Sequence, residues 1–195
     1  TSLELNRVLD IALTYAMDSL VVSMGIMGVI KEKEEPGLYL LVQRGMPMEM
    51  SRYKIDPWPL NRGIMGRVAQ TGQAEIVNDI TQAKDYIPKT DRTRSVMVVP
   101  IMREGRVIGV INLESTDADY FTEEDYSFVN ILVSHAAIAI DNAQLFERVK
   151  EANEAKSEFM NTASHELKIP MTSIKGYAKL LTMGAAGGLN DQQKE

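Results

Sequence analysis

The 195-residue chain contains no cysteine. That removes disulfides, thiolate metal sites, cysteine nucleophiles and thioether-linked chromophores together. Positive charge is in deficit, with 21 Lys and Arg against 27 Asp and Glu and a formal net charge of −6. A nucleic-acid footprint needs a clustered basic face, and none occurs, so nucleic acid is not an expected partner. Apolar runs are short: none approaches the roughly 18–20 residues that cross a bilayer. With no thiolate and only the histidines His135 and His165, a metal site is not expected either. No GxxxxGK[ST] phosphate loop is present, and internal repeats and low-complexity tracts are missing.

What remains is the composition of an ordinary globular protein, 45% hydrophobic and 25% charged. The length suggests one domain plus an appendage. The chain begins without methionine or a charged-then-apolar leader. It ends shortly after Asn190, which reads as a helix cap with Gln193 three residues on. Both ends read as cuts, so the expectation is a piece of a longer protein. The expected location is the cytoplasm, whatever tether lies outside these residues.

Leu5, Val8, Leu9, Ala12, Ala16, Met17 and Leu20 repeat at helical spacing. A β-rich run from Val21 to Ile30 follows, then Leu38 to Val42, with the charged Pro-Gly segment 31–37 as a solvated hairpin loop. Ile64, Val68 and Ala69 suggest a short helix ended by Gly72. A brief strand at Glu75-Ile76-Val77 leads into a polar loop, 78–93. The clearest hairpin pairs Ser95–Met102 with Arg106–Leu113 across Glu104-Gly105. From Thr122, with Asp125 as capping partner and Phe121 and Tyr126 as a staple, a helical pattern runs without glycine or proline to Pro170. That exceeds the roughly 8–20 residues of a globular helix, so it is expected to leave the domain as a coiled coil. Its seam is Ile138, Leu145, Val149, Ala152, Phe159 and Ala163, interrupted by Asn142 and Lys156. The predicted fold class is α/β (α+β): an antiparallel sheet flanked by helices, with a long C-terminal exit helix.

One place combines a reactive side chain, an adjacent acid and a helical frame: Ser164-His165-Glu166-Leu167-Lys168-Ile169-Pro170. The apolar stripe Phe159, Ala163, Leu167, Pro170, Ile174, Tyr177, Leu181 marks a face to be buried. His165 lies two positions before Leu167, about 200° around the helix, and is therefore solvated. A solvated imidazole offers a ring nitrogen as a nucleophile.

Residues 1–148 resemble a GAF domain, a small α/β sensor fold. The likeness rests on Gly63-Ile64-Met65-Gly66-Arg67-Val68-Ala69 with Thr71-Gly72, on Ile76-Val77-Asn78-Asp79, and on Ser95 to Pro100. It continues through Gly109-Val110-Ile111-Asn112 and Ala137 to Ala143. Residues 159–195 resemble the start of a sensor histidine kinase's dimerisation and phosphoacceptor domain. There Phe159, Ser164-His165-Glu166-Leu167-Lys168, Pro170, Ser173-Ile174 and Gly176-Tyr177 fall where the family places its H-box. Residues 149–158 are then a coiled-coil signalling linker. By this resemblance His165 receives the γ-phosphoryl group of ATP and passes it to an aspartate of a response regulator. Glu166 is the acid/base that keeps the imidazole nucleophilic. The working form is a parallel homodimer. ATP and Mg2+ enter only through a catalytic domain outside these residues, so the chain is a phosphoacceptor and not a self-sufficient enzyme. Pro170 cannot donate to the carbonyl of Glu166 and loosens the helix there. Four residues after the histidine the family usually carries threonine or asparagine, which orients water for dephosphorylating the regulator. Here the residue is Ile169, which implies weak or absent phosphatase activity.

In the resembled fold Asn78, Asp79 and Tyr86 lie on the loop covering the sensor pocket, with Trp58 and Met97 lining it. The plainer expectation for Asn78 and Asp79 is turn hydrogen bonding. His135, on the row with Ile131 and Ile138, is expected to be packed or interfacial and not a haem or metal ligand. The 12 methionines are mostly adaptable core filler. The rival function is a small-molecule module, for a cyclic nucleotide or tetrapyrrole, with the tail a dimerising coil. A third is a domain with a collapsed pocket that senses through protein contacts.

Overall fold

The computed structural model describes residues 3–31, 36–185, 187–188 and 190–193. The hairpin loop expected at 31–37 falls largely outside them. The described chain forms two compact units, Thr1–Leu145 and Phe146–Glu195.

The first unit is a five-stranded antiparallel sheet in the order β2-β1-β5-β4-β3, as the alternation of apolar residues had suggested. Its strands are β1 (Met24–Lys31), β2 (Gly37–Arg44), β3 (Glu75–Val77), β4 (Ser95–Arg103) and β5 (Arg106–Ser115). The β4–β5 hairpin closes through Glu104 and Gly105 at φ 49° and 78°. Both residues are left-handed, as the primed two-residue turn that matches strand twist requires. On one face lie α1 (Leu3–Ser19) and the start of α3 (Glu123–Thr182); on the other lies α2 (Gly63–Thr71). Gly72 caps α2 in the left-handed conformation at φ 68°, donating its N–H to the Val68 carbonyl. A 3-10 turn at Met48–Lys54, which the periodicity did not announce, precedes α2.

Side-chain parity divides the interior into two cores. Met97, Val99, Ile101, Ile111 and Leu113 pack against Leu9 and Leu13 of α1 and Val129, Val133 and Ile140 of α3. Val96, Val98, Val110, Ile26, Leu38 and Leu40 pack beneath Ile64, Met65 and Val68 of α2, with Trp58 and Tyr53. This division corrects two expectations. Met97 faces the α1–α3 core, one residue out of phase with the α2 side, and lines no pocket there. His135 is exposed, which removes the packed alternative expected for it and not the interfacial one. The sheet takes the α3 face of Val129, Val133, Ala136, Ala137 and Ile140, which leaves Ile131 at 63% and Ile138 at 48% exposure beside His135.

The start of α3 is fixed by a reciprocal capping box. The Thr122 N–H donates to Asp125 Oδ2 at 2.8 Å and the Asp125 N–H donates to Thr122 Oγ1 at 3.2 Å. Immediately before it, the Asn78 side chain grips the backbone of Phe121. Its Nδ2 donates to the Phe121 carbonyl at 2.9 Å, and its Oδ1 accepts from the Phe121 N–H at 3.1 Å. Asn78→Ala leaves both half-buried backbone groups without these bonds. The expected cost is about 1–3 kcal/mol, read by urea denaturation.

In the second unit α3 ends at Thr182 and a 3-10 turn occupies Asp191–Gln193, where a capped helix start was expected. The helix passes through Pro170. Thr172 and Ser173 donate their hydroxyls to the carbonyls of Lys168 and Ile169 at 2.7 and 3.3 Å, beside the position where proline removes a donor. The stripe of Phe159, Leu167, Ile174, Tyr177 and Leu181 stands 45–69% exposed.

Candidate functional site

Two sets of residues carry chemistry. The first is on α3, where His165 and Glu166 are both exposed. They are adjacent in sequence and so diverge by about 100° around the helix. Ile169, one turn beyond His165, shares its face and is 59% exposed. The imidazole is therefore flanked by a carboxylate on one side and a branched apolar side chain on the next turn.

The second set lies under α2. A cavity of about 10 Å³ is lined by Trp58, Met65, Tyr86, Lys89, Val96 and Asn112, among others. It has room for a single water at most. Trp58 sits on the edge of β2, its backbone paired with Leu38, and its indole N–H donates to the Arg62 carbonyl at 2.8 Å. Tyr53 packs edge-on against its ring at 5.0 Å. Tyr86 reaches the same cavity from the strap 78–94 between β3 and β4. Trp58 and Tyr86 are thus brought together. Asn78 and Asp79 are not: they line an open surface depression with Ile76, Gln82 and Asp119. Asp79 binds the Thr81 N–H and hydroxyl and the Gln82 amide. The Thr81 and Gln82 side chains, then the Thr81 N–H, hold its carboxyl below the ordinary value.

The chemistry beside the cavity centres on Glu114, whose side chain is fully buried on β5. Lys89 Nζ donates to it at 2.6 Å, with a side chain only 5% exposed. The Thr93 hydroxyl donates at 2.6 Å, Asn112 Nδ2 at 2.9 Å and the Tyr86 hydroxyl at 3.3 Å. Burial alone drives this carboxyl upward. The Lys89 charge and the bonds from Lys89, Thr93 and Asn112 outweigh it and hold the carboxyl below its ordinary value. Tyr86 is pushed the other way, first by burial and then by the charge of Glu114, so its phenol stays protonated. Asn112 is fully buried, and its Oδ1 has no hydrogen-bond partner among the described residues.

The periodicity reading missed Glu114, Lys89, Thr93 and Asn112. A signal was available in β5, where Asn112 and Glu114 fall in phase with Val110, putting two polar residues on an inward face. Among the described residues, no group of three or more His, Asp or Glu is placed to hold a metal, and no helix is long and apolar enough to cross a membrane.

Comparison with known proteins identifies both parts. The GAF domain model matches residues 2–141. The chain belongs to the GAF domain family. The His Kinase A (phospho-acceptor) domain model matches residues 155–195, and a GAF domain followed by that domain is the order of a two-component sensor kinase segment. Hybrid signal transduction histidine kinase G of Dictyostelium discoideum is 30% identical over 120 residues, 54% of this chain and 4% of that protein. Circadian input-output histidine kinase CikA of Synechococcus elongatus is 28% identical over 158 residues, 65% of this chain and 21% of that protein. The chain thus spans a small part of these relatives. In fold, the GAF domain from Acinetobacter phosphoenolpyruvate-protein phosphotransferase superposes at a TM-score of 0.62 with 21% identity, covering 74% of this chain and 87% of that one.

Proposed function

We propose that this chain is the sensory and phosphoacceptor part of a two-component histidine kinase, phosphorylated on His165. The observation that carries the reading is an exposed histidine in Ser164-His165-Glu166-Leu167-Lys168, with an exposed acid beside it, downstream of a GAF fold. A ring nitrogen of His165 forms a bond to the γ-phosphorus of ATP as the bridging oxygen–phosphorus bond breaks and ADP leaves. Glu166 takes up the imidazole proton, which keeps the attacking nitrogen's lone pair available. The phosphoryl group then passes from the His165 nitrogen to a carboxylate oxygen of an aspartate of a cognate response regulator, as the nitrogen–phosphorus bond breaks. ATP and Mg2+ are held by a catalytic domain outside these residues. Two copies pair in parallel through the stripe Phe159, Ala163, Leu167, Pro170, Ile174, Tyr177 and Leu181, which has the 3–4 spacing of a helix-pairing seam. Residues 1–148 serve as sensor, 149–158 as linker and 159–195 as the start of the phosphoacceptor domain. Incubation with the cognate ATP-binding domain and labelled ATP tests the assignment: label on His165 supports it, and label unchanged in His165→Gln refutes it.

A cyclic-nucleotide or tetrapyrrole module is the less favoured alternative. Such ligands need pockets of about 300 Å³ or more that enclose them; the cavity under α2 holds about 10 Å³, and the roomier depression at Asn78 and Asp79, about 390 Å³, lies open on the surface.

Ile169 carries its own expectation. A branched apolar side chain one turn from His165 holds no water by hydrogen bonds. The full-length kinase is expected to leave its phosphorylated regulator nearly as long-lived as the regulator alone. Ile169→Thr should accelerate decay by about tenfold, a loss of barrier of about 1.4 kcal/mol. Brisk dephosphorylation by the Ile169 form would contradict this.

A further inference from the structure

Strand β5 presents two acceptors at the sensor cavity: Asn112 lines it, and Glu114 stands two residues on, bonded to the Asn112 amide. Glu114 is an ionised carboxylate with no exposure, and the neighbouring Asn112 Oδ1 is buried without a partner. Both belong to β5 and are fixed by sheet pairing to β1 and β4. The cation that balances Glu114 is not on the sheet. It is Lys89, delivered by the strap 78–94, whose only regular element is the three-residue turn Ile80–Gln82. The same strap inserts Tyr86 and Ile87 into the cavity lining. The strap's own side chains therefore fill the space under α2, and the Lys89 ammonium lies 5.3 Å from the centre of the Tyr86 ring.

A buried carboxylate left without its cation is destabilised by several kcal/mol. Lifting the strap from β5 takes Lys89 away from Glu114, and another cation in its place keeps the carboxylate paired. An anionic group is rejected by Glu114, and a water satisfies Asn112 Oδ1 without supplying charge. A primary ammonium does both: it neutralises the carboxylate and has N–H donors left for the amide oxygen. We propose that Glu114 and Asn112 form an ammonium-recognition site, filled in cis by Lys89, whose exchangeable ligand is a small molecule bearing a primary amine. Binding of that ligand frees the strap. The inference concerns the sensor pocket and holds whether or not His165 accepts phosphate.

Trp58 is the only tryptophan and lines the cavity, so its fluorescence reports occupancy. The probe is n-butylammonium chloride, the free equivalent of a lysine side chain, titrated into the full chain against equal NaCl and tetramethylammonium chloride. In Lys89→Ala the tethered competitor is gone. The butylammonium ion should raise the melting temperature and change Trp58 emission saturably, while tetramethylammonium, which has no N–H, does neither. The wild-type chain should need at least about tenfold more amine, because Lys89 competes at high effective concentration. Lys89→Ala/Glu114→Gln, which carries no lone buried charge, should not respond. A flat response in Lys89→Ala, an equal response to tetramethylammonium, or binding that persists in the double variant overturns the proposal. If Lys89→Ala does not fold, the wild-type titration decides. A saturable, butylammonium-specific change in Trp58 emission that the double variant lacks supports the site, and its absence overturns it.

Discussion

His165→Gln is expected to abolish phosphoryl incorporation, lowering the labelled fraction to background when the cognate ATP-binding domain is supplied in trans. The size of the effect follows from the chemistry. Glutamine keeps length and hydrogen bonding but has no nucleophilic lone pair on an amine-like nitrogen, so the covalent intermediate cannot form. Fold is not at stake, because His165 is exposed on α3 and touches no core. Far-ultraviolet circular dichroism and melting temperature should be unchanged. Glu166→Gln separates the second role. It keeps the side chain's shape while removing its basicity, and should slow incorporation by about 10²–10⁴-fold without eliminating it. Retained labelling in His165→Gln would move the phosphoacceptor elsewhere. An unimpaired Glu166→Gln would remove Glu166 from the acid/base role and leave His165 in place.

Local chemistry made much of the fold legible. Gly72, Glu104-Gly105 and Thr122 with Asp125 are stop, turn and start signals whose causes lie within a few residues, and the structure uses each one. The apolar alternation through β4 and β5 likewise announced the hairpin. What escaped was decided at longer range. Which face of α3 meets the sheet cannot be read from a helix with two apolar rows: Val129, Val133 and Ile140 form the row that does, and Ile131 and Ile138 the row left exposed. Met97, expected beside Trp58 from the resembled fold, stands on the opposite face of the sheet by strand parity. Lys89 lies in a polar loop 25 residues from Glu114, and no periodicity specifies where a loop lysine goes. Asn112 and Glu114 were the available clue, since a buried carboxylate on an inward strand position demands a cation from somewhere.

Replacing Lys89 by methionine, of similar length and no charge, is expected to destabilise the sensor unit by about 3–5 kcal/mol, measured by urea denaturation of the full chain. The loss is not the worth of the ion pair but the cost of a carboxylate buried with only hydrogen-bond donors around it. Two comparisons distinguish this from lost packing. Lys89→Met/Glu114→Gln should recover most of the stability, because the orphaned charge is gone while the methionine remains. The pH dependence should also change sign. In the wild-type chain the folded-state carboxyl of Glu114 lies below its ordinary value. Its contribution is therefore present above the unfolded value of about 4.3 and is lost as pH falls through the lower folded value. In Lys89→Met, burial is opposed only by Thr93, Tyr86 and Asn112 and raises the carboxyl above the unfolded value. The folded state then binds the proton more readily, so this variant should gain stability between about pH 7 and pH 5. A Lys89→Met chain that loses stability in parallel with wild type on acidification would show that Glu114 does not depend on Lys89 for its charge, and that the strap is held by packing instead.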